Sequence, residues 1–368
     1  MRIALVVLFV MLSTAPEAAA AEPPLVGTSG SGPVRWLDRD LKPIAGTPRL
    51  SRETAGIVRS PDAKRLATWR FGADGISVRH ARTGTVLRQL KAVNPGGIEV
   101  FWPARDHIVT VVDERGRRPV VVRSYDLENG SVRVKRLSGV RFFRYVEKVG
   151  RVIRVITTNG SVGNRTGFTL HDFAPDGRRL RTEPVALPDG MDGDALVQLS
   201  GDRLLVSQHG LRVLVDLESG ATTPLVPSSN GLYWLGENLV QDGSQVAQIN
   251  RDTGALGKRV TLVDPWQELT ATPDGGFIVG IGQARYDADF ELVAEHPVAP
   301  DTSTSRLVLA GSRFYAMYGE CANLKASVRL VIGSTRTGQI LNERPGFRWR
   351  LGRLGDGVLP ISQLDIDC

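Results

Sequence analysis

Helical spacing is almost missing from this 368-residue chain. Apolar residues tend to recur at every second position, which argues against helix bundles and favours short strands. Cysteine is scarce as well, with only Cys321 and Cys368, so a disulfide-dense small fold is excluded. The five histidines, His80, His107, His171, His209 and His296, are scattered. None pairs with another at the spacing of one helical turn, and no His-Glu-x-x-His string occurs. A Gly-x-x-x-x-Gly-Lys-Ser/Thr loop is absent, and so is a nucleophile turn of the Gly-x-Ser-x-Gly kind. The sequence therefore indicates no cofactor and names no catalytic residue.

Long apolar runs are missing too, apart from one at the start. Arg2 precedes an unbroken apolar stretch at 3–12, and Ser13, Thr14 and Pro16 then break it. The small residues at 18–21 complete the layout of a secretory signal peptide, with cleavage expected between Ala21 and Glu22. The run is too short for the roughly 20 residues that cross a bilayer. No later window is apolar enough to span a membrane, and no cysteine stands near the cleavage site to carry a lipid. The expectation is an extracytoplasmic or secreted protein, soluble and monomeric. In that compartment Cys321 and Cys368 are expected to pair, which would stabilise the fold by roughly 4 kcal/mol in the chain-entropy description and tie down the last residue.

What the chain does have is glycine and proline, 40 and 21 residues, at short intervals. They punctuate two alternating kinds of hairpin. One carries a polar turn ending in glycine, as in Arg82-Thr83-Gly84, Glu128-Asn129-Gly130, Glu218-Ser219-Gly220, Asp252-Thr253-Gly254 and Arg336-Thr337-Gly338. Glycine supplies the positive φ of a tight turn, and a preceding Asp or Asn can accept backbone N–H groups two residues on. Looser copies bring the number to eight, at spacings of roughly 33 to 47 residues, the length of one propeller blade. The second kind is clearest at Ser60-Pro61-Asp62 and Thr272-Pro273-Asp274, each between two apolar strands.

The Ser-Pro-Asp hairpin followed by the Thr-Gly hairpin resembles the WD-repeat and TolB-like propeller repeats. The resemblance runs over residues 34–368 and implies an all-β fold. It would be a single β-propeller of about eight four-stranded blades, with seven as the alternative if the first hairpin is an appendage. The ring is expected to close by joining an N-terminal outer hairpin near 34–46 to C-terminal strands at 347–351 and 358–364. Residues 22–33, rich in glycine and serine, read as a flexible leader ahead of it.

Charge gives the one functional lead. The net charge is +7, and between residues 115 and 181 sixteen Arg and Lys stand against five Asp and Glu. Arg141, Arg144, Lys148, Arg151 and Arg154 concentrate this excess on one inner hairpin. A field of that sign favours anionic partners; for an exported chain these are anionic lipid headgroups or wall polymers rather than nucleic acid, and the partner expected is a protein or an anionic envelope polymer. Two acidic loops, Asp189/Asp192/Asp194 and Asp287/Asp289/Glu291, read as solvated turns. Tryptophans at 36, 69, 102, 234, 266 and 349 come about once per repeat, as packing between blades would require. The leading expectation is a non-catalytic binding scaffold. The alternatives are an enzyme with its site at the mouth of the central channel, and a structural part of an envelope assembly.

Overall fold

The structure, a computed structural model, describes residues 25–29, 33–51, 54–70, 75–91, 98–112, 119–137, 143–161, 164–225, 232–250, 252–262, 269–279, 284–295, 304–319, 328–347, 349–353 and 359–360. The segment expected to be a signal peptide, Arg141, Cys321 and Cys368 lie outside them, so the expected disulfide does too.

Every sheet among these residues is antiparallel, and there are eight of them. Six are four-stranded meanders in which strands follow one another in chain order. Blade 1 is the meander Thr54–Arg59, Arg65–Arg70, Gly75–His80 and Val86–Lys91. Blade 2 begins at Ile98 and ends at Leu137, and blade 3 runs from Phe143 to Val185. Blades 4 to 7 follow, starting at Leu196, Leu232, Leu269 and Thr304. In each, the fourth strand is the exposed one, as the pattern over Val132–Leu137 shows, where only Leu137 is buried. First strands of neighbouring blades approach one another, which sets them around a common axis.

Each of the eight seams has its own apolar cluster. Trp69 and Trp102 meet between blades 1 and 2; Val109, Val122, Val155 and Phe173 fill the next seam. Leu25, Leu37, Tyr315 and Leu351 join blade 7 to blade 8, and Val26, Trp36, Ile57 and Leu66 join blade 8 back to blade 1. The ring is closed, and its core is a circle of interfaces.

Blade 8 is made from both ends of the chain. Leu25–Ser29 lies between Arg35–Leu37 on one side and the C-terminal Trp349–Arg353 on the other. Leu25 and Val26 are buried, which corrects the reading of 22–33 as a flexible leader: two apolar residues in a Gly/Ser-rich context suffice when a seam waits for them. The second C-terminal segment does not join this blade. Leu359–Pro360 instead pairs with Gly56 and Ile57, adding a fifth strand to blade 1.

The turns hold as their chemistry requires. Asp126 Oδ1 accepts the N–H groups of Glu128 and Asn129 at 2.8 and 3.1 Å, and Asp216 and Asn250 repeat the arrangement. The glycine that follows has positive φ, 81° at Gly130 and 72° at Gly84. The same turns dock on the first hairpin of their own blade, as Leu127 N–H to Asp106 O and Leu217 N–H to Asp202 O at 2.7 and 2.8 Å show. Both kinds of hairpin therefore share one rim of the ring.

Candidate anion-binding surface

The third-to-fourth turns also receive the preceding blade. Arg88 of blade 1 donates to Asp126 O, Ser124 of blade 2 to Pro175 O, and Arg181 of blade 3 to Leu217 O. Thr223 of blade 4 reaches Thr253 O, Gln248 of blade 5 reaches Ala288 O, and Arg285 of blade 6 reaches Thr335 O. Tyr315 of blade 7 does the same on Arg39 O of blade 8 at 2.8 Å, so the contact recurs at seven of the eight seams among the described residues. One device, repeated, sets the angle between blades.

Basic residues were expected to gather on the inner hairpin of blade 3, and the structure divides them. Arg144 lies on the first strand, Lys148 is half-buried on the same strand, and Arg151 is exposed at the turn. Arg154 is buried instead. Its Nε and one terminal nitrogen reach the two oxygens of Asp172 at 2.9 and 3.0 Å. The other terminal nitrogen crosses the seam to Asp202 at 2.6 Å and Gly201 O at 2.8 Å. Arg154 is a strut between blades 3 and 4 and is withdrawn from the contact surface; its partner Asp202 lies 48 residues away, which no local charge count reveals.

The excess of positive charge surfaces elsewhere, on the outer wall. The fourth strands of blades 1, 2 and 3 carry Arg88, Lys91, Arg133, Lys135, Arg136, Arg179 and Arg181 against a single carboxylate, Glu183. Arg181 pairs with that Glu183, and Arg133 with Asp176 at 3.2 Å. Lys135 and Arg136 are exposed and make no ion pair among the described residues. The fourth strands of blades 5 to 7 are nearer balance by contrast, carrying Lys258, Arg259 and Arg344 and the acids Glu295 and Glu343. Charged side chains on an edge strand also discourage sheet-to-sheet pairing, but that role needs no single sign. A one-sign wall sets up a field for polyanions.

The two acidic loops are turns. Asp192 accepts the Asp194 N–H and a hydrogen bond from Gln208 at 2.8 and 2.7 Å, and Asp287 accepts the N–H groups of Asp289 and Glu291. Trp36, Trp69 and Trp102 are buried in seams, and Trp234 donates to Gln198 O across the seam between blades 4 and 5. His171 is buried between Thr157 and Thr182 at 3.0 and 3.2 Å, and burial pushes its ring down to about 4. The sequence did not single out Glu147. Its carboxyl, on the first strand of blade 3, is pushed up to about 7, chiefly by burial; Arg154 opposes the shift and the charge of Glu237 adds to it. Glu237 belongs to blade 5, so its effect on Glu147 is one that only the ring creates.

No family matches this chain, and no curated protein does. Solved structures do match. A dihydro-haem d1 dehydrogenase, NirN, in complex with DHE superposes with a TM-score of 0.60 at 15% identity, over 96% of this chain and 79% of that one. A eukaryotic initiation factor gives 0.54 at 11% identity, over 92% and 98%. Apo AztD from Citrobacter koseri gives 0.50 at 11% identity, over 89% and 97%. The fold is a β-propeller. At these identities the likeness concerns architecture alone, and function has to be argued from the surface.

Proposed function

We propose that this protein is an exported, non-catalytic propeller scaffold, WD-repeat-like in its hairpins, that binds an anionic polymer of the cell envelope along the outer wall of blades 1 to 3. The observation that supports this is the composition of that wall: seven basic side chains against Glu183, on three consecutive blades. The fourth strands are the outer edges of three consecutive blades, so their charges are spread along the wall rather than gathered in one pocket. Such a track suits an extended polyanion, whose affinity rests on summed contacts and falls with salt. No helix among the described residues is long and apolar enough to cross a membrane, and the signal peptide supplies the route of export.

The test uses the protein from Glu22 onward, polygalacturonate as the polymer, and binding measured at 20 and 300 mM salt. Reversing Arg133, Lys135 and Arg136 to Glu is expected to abolish low-salt binding, whereas Arg259→Glu on blade 5 leaves it intact. Equal loss in both variants, or unchanged binding in the triple variant, rejects the wall as the contact. Binding only to vesicles containing phosphatidylglycerol would assign the wall to lipid rather than polymer.

A second reading is favoured by Glu147. A carboxyl held near 7 by burial is a usable proton donor and acceptor, as an enzyme working at the channel mouth would need. Turnover of any glycosidic or ester substrate by the wild type, lost in Glu147→Gln at unchanged melting temperature, would favour it over the scaffold.

A further inference from the structure

The seam where the ring closes holds a cavity of about 530 Å³. It exists because blade 8 is short. Arg35–Leu37 spans three residues, and beyond it only isolated bridges, Leu37 to Pro43 and Val34 to Leu50, continue the sheet. The outer half of blade 1 is therefore left without a full blade against it.

Strand alternation decides what that uncovered face presents. Thr68 lies opposite Ser77, and Ser77 opposite Gln89, so the three form a polar row on one face of blade 1. Their alternating neighbours Trp69, Ile76 and Leu90 turn the other way, into the apolar seam with blade 2. Ser77 and Gln89 are hydrogen-bonded, at 2.9 Å from the Gln89 amide. Arg79, half-buried on the same face, is fixed by bonds from Nε to Thr68 and from one terminal nitrogen to Gly84 O, both 3.1 Å. That leaves its second terminal nitrogen without a partner among the described residues. Arg70 from blade 1 and Arg49 from the segment leaving blade 8 complete the lining. Among the described lining residues there are three guanidinium groups and no carboxylate.

We infer that this cavity is a binding site for an acidic monosaccharide, one oxyanion on a polyhydroxylated ring. Guanidinium forks match a carboxylate or phosphate two bonds at a time. The hydroxyls of Thr68 and Ser77 and the amide of Gln89 both donate and accept, as sugar hydroxyls do. The volume falls within the usual range for small-molecule sites and is far larger than a bare anion fills. Arg79 is held by backbone and side chain before any ligand arrives, so little ordering remains for binding to oppose. The site lies at the closing seam; it shares the fourth strand of blade 1 with the track along blades 1 to 3 through Gln89, but its three arginines, Arg49, Arg70 and Arg79, are not among the track's basic residues.

The experiment is titration calorimetry of the protein from Glu22 onward with glucuronate, glucose 6-phosphate, glucose and inorganic phosphate, each at millimolar concentration. Glucuronate or glucose 6-phosphate is expected to bind, with glucose silent and phosphate weaker than the sugar acids. Whichever of the two acids binds more tightly identifies the oxyanion as carboxylate or phosphate. Arg49→Ala and Arg70→Ala are changes at exposed residues, and each is expected to weaken binding about tenfold; Arg49→Ala is expected to do so without moving the melting temperature. Gln89→Leu is expected to weaken the sugar acids while leaving phosphate unchanged. The triple reversal at Arg133, Lys135 and Arg136 should leave binding intact, so failure of the polymer track and failure of this site are distinguishable. No binding of either sugar acid overturns the inference, as does phosphate binding as tightly as both, or affinity untouched by Arg49→Ala and Arg70→Ala.

Discussion

Arg154 and Asp172 face each other as a bidentate pair, two nitrogens on two oxygens at 2.9 and 3.0 Å, on adjacent strands of blade 3. Both residues are buried, and the third nitrogen of the guanidinium leaves the blade to hold Asp202 of blade 4. The pair therefore does two jobs, fixing strand register within one sheet and fixing the next sheet against it. Arg154→Met is expected to destabilise the protein by about 3–5 kcal/mol, since it leaves a buried carboxylate unpaired. Adding Asp172→Asn should recover part of that loss. Urea unfolding of the single and double variants measures both.

Glu147 gives the fold a pH dependence. Its carboxyl is raised from 4.5 to about 7, first by burial, with Arg154 opposing and Glu237 adding. The native state thus keeps a proton that the unfolded chain has released. The contribution is fully present below about 4.5 and is lost as pH rises through about 7. His171, lowered to about 4 by burial, slopes the other way between about 4 and its ordinary 6.5, so the two partly cancel. Glu147→Gln removes one side. The melting temperature of the variant minus that of the wild type should rise steadily from pH 4.5 to 8. A flat difference would place Glu147 in water.

Gly84 meets two demands at once. Its φ is 72°, and a Cβ built there would stand 2.5 Å from the Cβ of Pro48 in the tail of blade 8. Gly84→Ala is expected to cost at least about 1 kcal/mol from backbone strain alone, and more from the pressure on the closing seam. Gly220→Ala is the control, with positive φ but nothing near the added methyl. Thermal unfolding should show the first variant the weaker of the two.

The N-terminal strand is a latch. A chain beginning at Gly30 lacks Leu25–Ser29, and with it the middle strand of blade 8 and two buried side chains. Burying each of those is worth about 1.5–3 kcal/mol, so the truncated chain is expected to lose at least about 3 kcal/mol against one beginning at Glu22. Denaturant titration compares them directly. Equal stability would mean that blade 8 closes without its second strand.

Much of the fold was legible because turns are local. The Asp126 and Asp216 side chains act on backbone groups two and three residues ahead, and Gly130 and Gly220 follow at once, so five-residue strings disclosed the hairpins and their spacing disclosed the blades. The leader was misread for the opposite reason. Leu25 and Val26 are two apolar residues whose strand pairs with Arg353 and Gly352 at the other end of the chain, and nothing nearby announces that partner. The basic patch failed in the same way. The charge excess at 115–181 was visible, but the withdrawal of Arg154 depends on Asp202 in the next blade, and the exposure of Lys135 and Arg136 on the order of strands from axis to rim.

The sequence by itself determined what short-range chemistry controls: strand alternation, glycine turns, the repeat and its spacing, the excess of arginine. Tertiary structure alone decided which charges reach solvent, which acid is buried enough to hold its proton, and that the seam closing the ring leaves the Thr68–Ser77–Gln89 row uncovered. The reason is physical. A turn is satisfied by atoms a few bonds away, whereas burial and the field at a side chain are set by whatever the ring brings beside it, and in a closed circle those neighbours come from a blade away or from the far end of the chain.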